Sequence, residues 1–259
     1  MTKPVRAVFF DVDGTLLSHE TGGVPASATA ALRQLRDQGI AVVVSTGRAL
    51  SELDALGVDF PFHAYLLLNG QQCLDHGRHV FYDRPLEGDA LAGVLALFNE
   101  REVPIYLIGA DGLFLNFVDD RVRSAQAAIS SDIPPVRGYA GEPIYMAGAY
   151  AHVADEPALR DRLRDVTITR WHKNGIDIVC AGAGKVQGVE AFLERTGIAA
   201  DECVAFGDAE NDIEMLRMVG TGVAMGNAEP DVKAVADLVT SDIDADGIAN
   251  GLRALGLIT

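Results

Sequence analysis

Residues 5–16, VRAVFFDVDGTL, run through an apolar stretch and stop at two carboxylates two positions apart, followed by Gly14 and Thr15. Six residues rich in Val and Phe suffice for one buried strand. Asp11 then stands where that strand emerges, and Gly14 supplies the turn. Ligands of open α/β sheets bind at the carboxyl ends of strands. Alternate residues of an extended chain share a face, so Asp11 and Asp13 point to one side if the chain stays extended between them. Two carboxylates so placed can hold a hard cation and divide nucleophilic and acid–base roles.

The same pattern continues downstream. Residues 26–38 carry Ala28, Ala31, Leu32 and Leu35 at helical spacing and stop at Gly39. Residues 40–44 form a second apolar run, ending in Ser45-Thr46-Gly47-Arg48, and residues 64–68 a third, ending in Asn69-Gly70. Past residue 182 the rhythm returns: a helix over 185–195, a strand over 203–206, the turn Gly207-Asp208, a helix over 210–219, and short strands at 222–225 and 237–240. Strands alternating with helices indicate a parallel sheet.

The middle of the chain differs. A strand at 81–86 and helices at 88–101, 120–129 and 156–164 accompany a strand at 144–151 and two hairpins. The first hairpin turns at Ala110-Asp111-Gly112. The second joins 166–172 to 176–181 through Lys173-Asn174-Gly175, and Asn-Gly is a strong hairpin signal. Hairpins mean antiparallel pairing. The expected fold is α/β: a Rossmann-like parallel-sheet core over 1–80 and 182–259, with an α+β domain inserted over 81–181 and Gly182-Ala183-Gly184 as the joint.

Composition narrows the function. The chain has 259 residues, 49% hydrophobic and 22% charged, with a net charge of −16. That balance argues against a nucleic-acid or anionic-membrane binder, which needs a basic face. An anionic substrate stays open, because a bound metal and a few cations invert the potential inside one cleft. The 3 cysteines are widely spaced without a CxxC pair, as expected for reduced thiols in the cytoplasm. The apolar run at the start is interrupted by Asp11, so no signal peptide is expected. No apolar stretch approaches the ~18 residues of a membrane span.

Four clusters fall at strand ends or at a helix start. They are Asp11 with Asp13; Thr46-Gly47, a hydroxyl and a bare N–H suited to phosphate oxygens; Lys185, opening a helix; and the acidic run Gly207–Asp212, where Asp208 and Asp212 share a face of a helical turn. Singly each has an ordinary reading as a turn, a helix start, a solvated lysine or a helix cap. A calcium loop of the EF-hand type needs Glu at its twelfth position; counted from Asp11, that position is Gly22. Together the clusters match phosphoryl transfer. A carboxylate nucleophile shares the sign of a phosphate ester and needs a cation to screen the repulsion. A second carboxylic acid must protonate the departing alkoxide and later activate water. Lys185 and Thr46 supply donors for the equatorial oxygens.

The stretches FFDVDGTLL, VVVSTGR, LLLNG, AGKVQGVEAFLERTGI, VAFGDAENDIEML and GVAMGNAEPDVKAVADLVT resemble the haloacid dehalogenase (HAD) superfamily, specifically Cof-like phosphatases with an α/β cap inserted between the second and third motifs. The resemblance implies that Asp11 forms an aspartyl-phosphate and that Asp13 is the acid–base. Thr46, with Gly47, and Lys185 would bind the phosphoryl group. It further implies that Asp208 holds Mg²⁺ with Asp11 and the main-chain carbonyl of Asp13, that Asp212 and Asn211 support this site, and that Asn69 lies near the substrate phosphate. Many relatives carry Gly directly after the motif-three lysine; here that residue is Val186.

The implied activity is Mg²⁺-dependent hydrolysis of a small phosphorylated metabolite, a sugar phosphate by preference. Asp13 sets it apart from dehalogenases, which attack carbon without a second acid. A phosphomutase of the same superfamily and a non-catalytic phosphometabolite-binding regulator are the alternatives. Selectivity is expected from the insert. Trp171 and His172, with Lys173 and Asn174, offer a ring face and donors for sugar hydroxyls, and Glu142 and Tyr145 are further choices.

Overall fold

The computed structural model describes residues 4–56, 58, 60–128 and 131–259, with Trp171 described by its main chain only. The chain divides into two compact units, Met1–Arg48 with Glu52–Asp83 and Gly184–Thr259, and Ala49–Ser51 with Arg84–Ala183.

In the first unit the leading run becomes β1 (Ala7–Phe10), all four residues buried. It is followed by α1 (Ala26–Asp37), β2 (Ala41–Ser45), α2 (Leu50–Ala55), β3 (Ala64–Leu67), β4 (Gln72–Asp75) and β5 (Val80–Asp83). In the second unit come α3 (Gly88–Glu100), β6 (Ile105–Gly109), β7 (Gly112–Leu115), α4 (Asp120–Ala128), β8 (Ile144–Ala149), α5 (Glu156–Arg160), β9 (Val166–His172) and β10 (Gly175–Cys180). The chain then returns through α6 (Lys185–Thr196), β11 (Cys203–Gly207), α7 (Ile213–Met218), β12 (Thr221–Ala224), α8 (Pro230–Val235), β13 (Leu238–Val239) and α9 (Gly247–Ala254).

The first unit holds an eight-stranded sheet in the order β13-β12-β11-β1-β2-β3-β4-β5. From β13 to β3 the neighbours are parallel, and β4 and β5 add an antiparallel edge. A parallel strand covered on both faces needs a continuous apolar run. Accordingly, Phe9 packs edge-on against Phe192 of α6, and Phe10 stacks with Phe206 on the opposite face, where α9 approaches. On one side of β1 the chain proceeds to β2 and β3; on the other lie β11 and β12. The order reverses between β1 and β11, which makes their carboxyl ends the switch point where such sheets bind ligands.

The second unit is a five-stranded antiparallel sheet, β7-β6-β8-β10-β9. Strand alternation puts Ile105, Leu107, Ala147, Ala149, Ile176 and Ile178 in one core with Ala90, Val94, Leu97 and Phe98 of α3. On the other face Tyr106 and Asp177 both stand opposite Gly148, and the Tyr106 hydroxyl donates to the Asp177 carboxylate.

Several elements differ from expectation. The strand expected over 81–86 is Val80–Asp83, and it pairs with β4 in the larger sheet, so the inserted stretch of the second unit begins at Arg84. The helix expected over 156–164 ends at Arg160; Arg162 donates back to Leu159, and Asp165 adopts φ 56° at the entry to β9. The helix expected over 210–219 opens with a 3-10 turn, because the Asp212 carboxylate accepts from the amides of Asp208 and Ala209. The helix expected over 120–129 runs to Ala128, and residue 129 lies outside the described residues. All three cysteines are free. Among the described residues no helix is long and apolar enough to cross a membrane.

Candidate active site

Asp11 follows β1 directly, and its amide continues the ladder to the Phe206 carbonyl of β11 at 3.0 Å. Lys185 is the first residue of α6, and its side chain is fully buried. Its ammonium donates to Oδ1 of Asp11 at 2.5 Å and to Oδ1 of Asp212 at 2.6 Å. Asp208, just past β11, accepts the Thr15 hydroxyl at 3.0 Å. One carboxylate oxygen from each of Asp11, Asp208 and Asp212 lies within 4.8 Å of the others.

These charges are tuned by burial and by one another. Desolvation pushes the Asp11 carboxyl well above the usual range; the Lys185 charge opposes this, and the Asp212 and Asp208 charges add to it. Burial works against the Lys185 ammonium, yet the two aspartates outweigh it and raise its pKa. Asp208 is pushed up to about 6 by burial and the Asp212 charge, against the Thr15 hydrogen bond. Three carboxylates around one lysine leave excess negative charge, which a divalent cation would neutralise.

The donor set is all oxygen, which suits a hard cation such as Mg²⁺. Asp212 spends Oδ1 on Lys185 and Oδ2 on two main-chain amides. Asp208 Oδ1 accepts from the Thr15 hydroxyl, and Asp11 Oδ1 accepts from the Lys185 ammonium. Asp11 and Asp208 are therefore the better direct ligands, with Asp212 orienting the lysine and the loop. Asp13 stands outside the cluster as a side chain. Its two oxygens accept from Arg48, Nε to Oδ2 and Nη2 to Oδ1, both at 2.7 Å.

Thr46 is buried at the end of β2. Its amide donates to Leu66, its carbonyl accepts from Asn69 at 2.9 Å, and its Oγ1 accepts from the Arg48 amide. A Cβ on Gly47 would lie 3.4 Å from the Asn69 side-chain oxygen. Leu68, Asn69 and Gly70 all have positive φ in the β3–β4 turn, a costly conformation for the first two. Gly70 is required here, since a Cβ would come within 2.7 Å of the Gly184 carbonyl. This turn brings Asn69 to Asn211, whose amide donates to it at 3.1 Å.

The expected core residues Asp11, Lys185, Asp208 and Asp212 thus share one cluster, and Thr46, Gly47, Asn69 and Asn211 form a second, connected group. The insert candidates lie in the second unit. His152 Nδ1 pairs with Asn174 Oδ1 at 3.0 Å, and the Asn174 amide donates to His172 Nδ1. Lys173 is exposed, Tyr145 is buried, and Glu142 is paired with Arg137. The Trp171 side chain lies outside the described residues.

Sequence reasoning missed Arg48, Thr15 and Asn227, whose side chain donates to the Gly14 carbonyl at 2.8 Å. Arg48 and Thr15 sit inside motifs already singled out, so the signal was a cation and a hydroxyl beside assigned residues. Asn227 lies in a stretch that carried no separate chemical signal.

YkrA of Bacillus subtilis is 30% identical over 256 residues, covering 98% of each chain. BT1666 from Bacteroides thetaiotaomicron, one of the phosphatases of the haloalkanoate (HAD) enzyme superfamily, has a solved structure that covers 98% of this chain and 96% of its own, at 31% identity and TM-score 0.90. The subclass IIB sugar phosphatase BT4131 matches over 98% of this chain and 100% of its own, at 29% identity and TM-score 0.81. With the model for haloacid dehalogenase-like hydrolases matching residues 8–252, this chain belongs to that family and is a phosphatase.

Proposed function

We propose that the protein hydrolyses small phosphomonoesters, sugar phosphates foremost, with Mg²⁺ and through an aspartyl-phosphate on Asp11. The observation that carries this reading is the buried Lys185 ammonium shared by Asp11 and Asp212 at the switch point of the sheet. Neutralised by this ammonium, a carboxylate can approach an anionic phosphorus.

In the first step an Asp11 oxygen bonds to phosphorus while the bond to the leaving oxygen breaks. The electron pair stays with that oxygen, which takes a proton from Asp13. In the second step a water oxygen attacks the phosphorus and gives a proton to the Asp13 carboxylate. The bond to Asp11 then breaks, its electron pair returning to the carboxylate, and phosphate leaves. Lys185, Thr46 and the Gly47 amide bind the equatorial oxygens, where charge develops. Asp11 and Asp208 would hold Mg²⁺, which would screen the negative charge of the nucleophile and the phosphoryl group.

The second unit is assigned to substrate selection, with His172, Lys173 and Asn174 at one end of its sheet. A sugar phosphate is favoured by this polar hairpin end, which offers donors for hydroxyls, and by the resemblance to BT4131.

A screen of phosphorylated metabolites with Mg²⁺, ranked by kcat/KM and repeated on Asp11→Asn, tests the reading. Release of inorganic phosphate that is lost in Asp11→Asn and on chelation supports it. An isomeric phosphate ester as product would make the enzyme a mutase, and turnover surviving in Asp11→Asn would reject the nucleophile.

A further inference from the structure

We infer that Arg48 is a positioning residue for Asp13: its guanidinium fork fixes the orientation of that carboxylate, and through it governs protonation of the leaving group. The inference rests on the phosphatase reading above and goes beyond it by assigning a residue that acts on the acid–base.

The geometry is that of a two-pronged pair. Nε and Nη2 each donate to a different oxygen of Asp13 at 2.7 Å, which fixes both position and plane of the carboxylate. The Arg48 backbone is anchored too: its amide donates to Thr46 Oγ1, and its carbonyl accepts from Leu68. The fork therefore projects from the same loop that carries Thr46 and Gly47. Asp13 needs such a support, because it follows the last residue of the β1 apolar run by three positions, at the start of a turn. Both side chains are 32% exposed, so the pair contributes little to folding. What it supplies is orientation, which a lone carboxylate in a turn lacks.

Two substrates separate this role from phosphate binding. A hexose phosphate leaves as a basic alkoxide that needs a proton, whereas 2,4-dinitrophenyl phosphate leaves as a stable phenolate that does not. kcat/KM reports only the first step, up to formation of the aspartyl-phosphate. Arg48→Ala is expected to lower kcat/KM about 100-fold on the hexose phosphate, the usual scale of general acid catalysis, with little loss on the dinitrophenyl ester. Arg48→Lys keeps the charge without the fork and should resemble Arg48→Ala. In an Asp13→Asn background, Arg48→Ala should change the remaining rate by less than about twofold, the residue of an interaction already lost.

Equal losses on both substrates, or losses that multiply with Asp13→Asn, would make Arg48 a direct phosphate binder and overturn the inference. Unchanged circular dichroism and Mg²⁺ binding establish that the variants fold. Activity that survives Asp11→Asn in an otherwise unaltered chain would instead overturn the underlying mechanism, and the role of Asp13 with it.

Discussion

Lys185 stands 2.6 Å from Asp212, and neither side chain is exposed to solvent. The same ammonium serves Asp11, so one lysine compensates two buried carboxylates. Removing one partner of a buried pair leaves uncompensated charge, at a cost of about 3–5 kcal/mol. Lys185→Met is expected to lose about that much unfolding free energy at pH 7. The Lys185 pKa is raised, so its contribution is fully present below its ordinary pKa and is lost only as the pH rises through the higher folded value. In the variant, Asp11, whose pKa is itself raised, protonates readily as the pH falls. The deficit should therefore be smaller at pH 5 than at pH 8, as urea unfolding at the two pH values would read out. An equal deficit at both would mean that Lys185 stabilises by packing alone.

Asp208 leads to a prediction about metal affinity. Its carboxyl is pushed up to about 6 by burial and the nearby Asp212 charge, so protons compete with Mg²⁺ just below neutrality. The folded state binds the extra proton between the ordinary value near 4 and about 6. Without metal, stability from this group falls as the pH rises through that window. Bound Mg²⁺ offsets the loss by favouring the ionised form. Mg²⁺ affinity is expected to weaken about tenfold between pH 7 and pH 5, because one proton is displaced on binding. Calorimetric titration would show it; an affinity flat over this range would remove Asp208 from the ligand set.

Gly14 is held to glycine by Asp208. Its φ is 78°, and a Cβ there would lie 2.2 Å from Oδ2 of Asp208, so Gly14→Ala must push the carboxylate aside. The left-handed backbone alone costs a non-glycine residue about 1–2 kcal/mol. Displacing the carboxylate breaks its bond to Thr15 and spoils its aim at a cation. Gly14→Ala is therefore expected to lower stability by about 1–2 kcal/mol and to weaken Mg²⁺ binding together with turnover. A thermal melt and a metal titration check both; intact metal affinity would show that the cation is not held by Asp208.

The contrast between Lys185 and Arg48 shows what the sequence carried. Asp11, Lys185, Asp208 and Asp212 were legible because each stands at a strand end or helix start in a strongly patterned parallel segment. Their convergence follows from the switch point, which fixes β1 beside β11. The pairing of Arg48 with Asp13 was not legible, because it depends on how two loops from adjacent strands turn after they leave the sheet. β4 carries no clear strand signal, because Gln72 and Asp75 interrupt its apolar pattern. β5 joins the first unit's sheet and not the insert's, because strand propensity is local, whereas its pairing with β4 is decided by which edge offers hydrogen bonds.

The second unit allows stability and chemistry to be separated. Asn116, at the end of β7, is buried; its Oδ1 accepts from the amides of Ile105 and Phe117, both at 2.9 Å, and its Nδ2 donates to the Phe98 carbonyl at 2.8 Å. One side chain thus ties β6, β7 and the end of α3 together. In Asn116→Leu these main-chain groups lose their partner inside an apolar core, at about 1–3 kcal/mol for each group left unsatisfied. Because the proposed chemical groups all belong to the first unit, the variant is expected to raise hydrogen exchange across β6 and β7 while Mg²⁺ affinity stays unchanged. Turnover of a sugar phosphate should then fall more than that of a small aryl phosphate, since only the former draws on the second unit for recognition. Equal losses on the two substrates would deny the second unit a part in selection.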